Sequence, residues 1–99
     1  MKLFLISQST TKGYDTYDKA VVSVNSAEEA TKIHPAAAHG YVWNEELGIF
    51  GYWAREANIC DVFRKCSDSW AQSPSEVTVV YLGETEHAAG VICASFNAG

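Results

Sequence analysis

The sequence predicts a compact α+β fold built on a mainly antiparallel sheet of about four strands. Three observations carry this reading. Both ends of the chain have strand-like composition, a capping signal for one helix follows the second apolar segment, and seven of twelve aromatics crowd between Tyr41 and Trp70. The expected order is two strands, a helix, an aromatic-rich insertion over residues 38–75, and two more strands. All of it lies within one domain covering 1–99, because a chain of 99 residues can build one core but not two.

The first strand is Lys2–Gln8, with Leu3 and Leu5 on one side and Phe4 and Ile6 on the other. A strand apolar on both faces is usually covered on both. A polar turn, Ser9-Thr10-Thr11-Lys12-Gly13, and the lead-in Tyr14–Asp18 separate it from a second strand, Lys19–Val24, so the pair reads as a hairpin. Ser26 followed three residues later by Glu29 is a capping box, in which the serine hydroxyl and the glutamate satisfy free amides at a helix start. The helix should stop near His34, because Pro35 disfavours helical geometry in the residue before it.

Within the insertion, Tyr41–Trp43 and Ile49–Trp53 are expected to pair around Asn44-Glu45-Glu46-Leu47-Gly48. Ile59, Val62 and Phe63 fall at helical spacing, which predicts a second helix over Ala57–Lys65. The chain closes with Val77–Leu82 and Val91–Phe96, expected to form a second hairpin around a polar connector.

Composition narrows the function. A net charge of −5, with basic residues scattered, argues against nucleic acid, which is held by a basic stripe. No apolar run reaches the roughly 18–20 residues that span a bilayer, so no membrane association is expected. The short apolar start reads as a strand rather than a signal peptide, and the expected location is the cytoplasm. Three cysteines, an odd number, read there as free or buried thiols rather than a disulfide frame.

Catalytic and metal chemistry find weak support. His34, His39, Cys60 and Cys66 are potential zinc ligands, but five residues separate the two cysteines where two to four are usual. On the expected second helix they would also face apart. Cys93 with His87 could form a thiolate pair, yet a mid-strand cysteine between Ile92 and Ala94 is expected to pack rather than react. No glycine-rich phosphate loop is present, and Glu28-Glu29 has its capping role. No cofactor and no metal are therefore expected.

The aromatic segment has two readings. It could close one face of the sheet as a satellite core, or display part of itself as an interface, since Trp, Tyr and Arg dominate binding hot spots. The candidate contact set is Tyr41, Trp43, Tyr52, Trp53, Arg55 and Trp70, with Glu45 and Glu46 steering a basic partner.

The string Met1-Lys2-Leu3-Phe4-Leu5-Ile6-Ser7-Gln8, the segments Tyr14–Asp18 and Ala20-Val21-Val22, Glu28-Glu29-Ala30, His34-Pro35 and the closing Gly90–Gly99 carry a resemblance. Over roughly the first third and last quarter, the chain resembles a group of small tailed-phage and prophage proteins of unknown function. The resemblance brings no catalytic residues. It implies a small phage protein in a bacterial cytoplasm that binds a host protein, antiviral defence components included. The expectation is a non-enzymatic protein that modulates or inhibits such a partner. The alternatives are a small metal- or cysteine-dependent enzyme, and a homo-oligomeric accessory protein in which the two-sided apolar strands meet across a symmetry axis.

Overall fold

The computed structural model describes residues 1–11, 16–56, 60–65 and 69–97. Among them are seven strands in two antiparallel sheets, one short α-helix and two 3-10 turns. The mainly antiparallel α+β character is as expected. The single sheet of about four strands is corrected to one of four and one of three.

The larger sheet holds β1 (Lys2–Ser7), β2 (Thr16–Val24), β6 (Thr78–Glu84) and β7 (Gly90–Asn97) in the order β6-β1-β2-β7. β1 and β2 form the expected hairpin, with Phe4 opposite Val22 and Leu5 opposite Val21. Gln8 ties its loop: the buried side-chain amide donates to the Thr11 and Tyr17 carbonyls, each at 2.7 Å. The expected hairpin of the last two strands does not form. β6 pairs with β1 and β7 with β2, so they occupy opposite edges. Three strand spacings are only about 14 Å, and six residue steps reach up to about 20 Å. The connector crosses the end of the central pair, held by Thr85 N donating to the Met1 carbonyl at 3.0 Å and Ser23 Oγ donating to the His87 carbonyl at 3.1 Å. This arrangement gives the two central strands, β1 and β2, a neighbour on each edge.

Helix α1 is short, Ala27–Ala30. Ser26 Oγ accepts from Glu29 N at 3.2 Å, as the capping signal requires. The Glu29 carboxylate reaches one residue further back than expected, accepting from Asn25 N at 3.3 Å. Bonds from Lys32 N to the Glu29 carbonyl and Ile33 N to the Ala30 carbonyl then tighten the chain into 3-10-like turns before Pro35. Ala30 is the residue this turn buries, against β1, β2 and β6.

The smaller sheet comprises β3 (Val42–Asn44), β4 (Ile49–Glu56) and β5 (Cys60–Lys65), in that order. The β3–β4 hairpin is as expected. Asn44 Oδ1 accepts from Leu47 N at 2.9 Å, and Gly48 takes φ +67°, a left-handed conformation that glycine adopts without a Cβ clash. The second helix is overturned over Cys60–Lys65, which is a strand; the expected start, residues 57–59, lies outside the described residues. Val62 pairs with Ala54 and Phe63 with Trp53, and these cross-strand contacts outweigh a helical spacing only three residues strong.

The two sheets share one core. Phe4, Ile6, Ala20, Val22 and Val24 project from the larger sheet and meet Phe50, Trp70 and Ala71. Trp70, placed in the expected contact set, is 2% exposed and belongs to this core.

Candidate functional site

Strand alternation sorts the aromatics of the smaller sheet onto two faces. Trp43 lies opposite Phe50, and Tyr52 follows Phe50 by two residues, so all three share the inward face. Trp43 meets Phe50 edge-on at 4.9 Å, and Tyr41 leans on Tyr52 at 5.8 Å. Trp53 points the other way. Its ring contacts Phe63 edge-on, with centroids 5.2 Å apart, and 62% of its surface stays exposed.

Gly51 makes that outward pair fit. A Cβ at this position would lie 2.6 Å from Phe63 Cε1 and would clash with the Arg64 carbonyl oxygen. The Phe63 ring therefore lies across a hollow that only glycine leaves open. Along the same face Val42 is opposite Gly51, Lys65 is opposite Gly51 from the other side, and Arg55 is opposite Asp61. The result is an aromatic pair bordered by Val42 on one side and by mixed charge on the other.

Val42 also stands on the rim of a cleft of about 510 Å³, lined by Lys32, Ile33, His34, Ala37, Tyr41, Trp43, Glu45 and Gly90. Its mouth carries a polar relay. Lys32 Nζ bonds Glu45 Oε1 at 3.0 Å and lies 3.7 Å from Glu28 Oε1, while the Trp43 indole N–H donates to the other Glu45 oxygen. The Trp43 hydrogen bond, with Lys32 second, lowers the Glu45 carboxyl below its usual range; the Glu45 bond raises the Lys32 ammonium. With Glu46 exposed beside this relay, acid outnumbers base at the rim.

His34 closes the cleft floor. It is buried, not a surface histidine, and both ring nitrogens are engaged. Nδ1 accepts from Ala36 N at 2.9 Å, which places the proton on Nε2, 3.4 Å from Ser69 Oγ. Tyr17, Tyr41 and Phe50 surround the ring edge-on. Desolvation pushes its pKa down to about 4, so it stands neutral at pH 7.

The expected contact set thus divides. Trp53 and Arg55 share the outward face; Tyr41, Trp43 and Glu45 belong to the cleft; Tyr52 lies on the inward face; Glu46 is at the hairpin turn; Trp70 is core. Phe63 and Val42 are additions. The signal for Phe63 was its opposition to Trp53, hidden while the segment read as a helix.

The other chemical candidates separate too. Cys93 is exposed rather than packed. His87 Nδ1 donates to the Ala88 carbonyl at 2.6 Å, and among the described residues no hydrogen bond joins it to Cys93. Cys66 and the Cys60 side chain lie outside the described residues. Among the described residues, no three His, Cys, Asp or Glu side chains gather as a metal site would require, and no helix is long and apolar enough to cross a membrane. Comparison with protein-family models, curated proteins and solved structures finds no match.

Proposed function

We propose that this chain is a non-enzymatic binding protein of phage origin, acting in the bacterial cytoplasm on a host protein that it modulates or inhibits. An antiviral defence factor is one class of such partner. The observation that carries the reading is Trp53, a large aromatic held at 62% exposure by Phe63 on the outward face of a sheet whose inward face is already packed. A tryptophan exposed beside an arginine is the usual anchor of an interface hot spot. The phage resemblance of the chain ends supports a bacterial partner.

Trp53, Phe63, Val42 and Arg55 form the anchor in this reading. The acidic rim with Glu45 and Glu46 favours basic side chains, for which the aromatic walls Tyr41 and Trp43 supply cation–π contacts. His34 has both nitrogens committed inside the fold and serves the scaffold.

The test is affinity capture from bacterial lysate with tagged wild type beside Trp53→Ala, Arg55→Ala. One protein retained by wild type and lost from the variant, with the thermal transition preserved, supports the reading. Equal retention by both proteins overturns it.

A further inference from the structure

The fold places one of its own lysines at the mouth of the aromatic cleft. Lys32 Nζ lies 3.0 Å from Glu45 Oε1, and the Trp43 indole N–H donates to the other Glu45 oxygen. Tyr41 and Trp43 wall the cleft, and Ile33 and Ala37 add apolar lining. Its volume of about 510 Å³ falls within the range of about 300–1,000 Å³ that holds small ligands. An ammonium therefore already rests on a carboxylate beside two rings of the kind that attract cations.

Lys32 has a second acceptor within reach. Glu28 Oε1 lies 3.7 Å from the same nitrogen. The Lys32 side chain is 35% exposed and that of Glu45 70%, so the carboxylate has an open side that another cation can approach. Glu46 follows Glu45 in the chain, which sets three carboxylates against one ammonium. The surplus of negative charge attracts a cation and repels an anion.

We propose that the cleft takes a lysine side chain of the partner protein, and that Lys32 is its built-in competitor. This rests on the reading of the chain as a binding protein and adds the chemistry of one contact. The incoming ammonium replaces Lys32 on Glu45, while Lys32 turns to Glu28 and keeps an ion pair. The methylene stem of the ligand lies along Tyr41 and Trp43, as amphipathic side chains do on apolar surface. Lysine fits better than arginine. The fold's own occupant is an alkylammonium, and the second Glu45 oxygen, which a guanidinium fork would need, is taken by Trp43. Trp43 also fixes the carboxylate before the ligand arrives. Occupancy by Lys32 for about nine-tenths of the time weakens apparent binding about tenfold.

The probe is Nα-acetyl-lysine methylamide, titrated into the isotope-labelled full chain at constant ionic strength. The readout is the indole N–H resonance of Trp43, with that of Trp53 as the internal control. Lys32→Met, which keeps the stem and loses the ammonium, is expected to bind the probe about tenfold more tightly than wild type. Glu45→Gln should abolish the shift, and the probe acetylated at Nε should leave the resonance in place. Both variants alter exposed or half-exposed side chains and should keep the native thermal transition. The absence of a saturable shift in Lys32→Met, binding no tighter than wild type, or an equal shift from the Nε-acetylated probe overturns the proposal. No host protein is present, so a failed titration leaves the Trp53 anchor standing. Equal capture by wild type and Trp53→Ala, Arg55→Ala leaves this site standing in turn.

Discussion

Trp53 and Phe63 meet edge to face across β4 and β5, 5.2 Å between centroids, above a hollow that Gly51 leaves open. Their contact orients Trp53 without burying it. An aromatic held in one place while still exposed loses little further freedom on binding, which favours affinity. Removing Trp53 should accordingly change binding far more than stability.

Trp53 and Trp70 should behave as opposites in denaturant. Trp70 is 2% exposed in the core, and its Nε1 has no hydrogen-bond partner among the described residues. Trp70→Ala is expected to cost about 3–5 kcal/mol, enough to unfold a marginal domain. Trp53→Ala should cost less than about 1 kcal/mol. Urea unfolding followed by circular dichroism compares them.

Gly51→Ala should disturb the smaller sheet directly. The added methyl meets Phe63 and the Arg64 carbonyl, and the latter is backbone that cannot swing away. A cost of about 1–3 kcal/mol is expected. The fluorescence of Trp53 should change with it, which a purely remote effect would not produce.

Acid should weaken the fold through His34. The folded ring has a pKa of about 4 against 6.5 when free, so between those values the unfolded chain takes up a proton that the folded chain refuses. The stabilisation is complete above pH 6.5 and is lost as pH falls toward 4. Its full size is on the order of 3 kcal/mol. His34→Phe removes this titration while the carboxylates still titrate, so the stability difference between wild type and variant should shift by that amount across the window.

The cap at Ser26 supplies a smaller test. Ser26→Ala removes the acceptor of the Glu29 amide and should cost about 1 kcal/mol. Thermal unfolding checks it, and Ser26→Asp, which keeps an acceptor, should recover most of the loss.

Much of the frame was legible from local chemistry. Ser26 with Glu29 marked the helix start, Asn44 to Gly48 marked a hairpin, and the apolar runs at Leu3 and Val21 marked paired strands. What stayed hidden was tertiary. Ile59, Val62 and Phe63 match a helix as well as a strand, and only the partners Trp53 and Ala54 decide between them. The connector after Glu84 looked like a hairpin loop, yet it is long enough to cross two strands. The candidate site contained a readable clue that the grouping ignored. Tyr52 and Trp53 are adjacent in a strand, so alternation alone forbids them one shared face. Trp70 carried no comparable signal, since nothing local distinguishes a buried tryptophan from an exposed one.

The most direct measurement places a photo-crosslinking residue at Val42, on the rim of the aromatic face and 43% exposed, and irradiates the tagged protein in bacterial lysate. A matched probe at Glu86, in the connector beyond the larger sheet, serves as the control. One discrete adduct is expected from position 42, absent from position 86 and lost when Trp53→Ala is added. The absence of an adduct at position 42, or the same adduct from both positions, would contradict it.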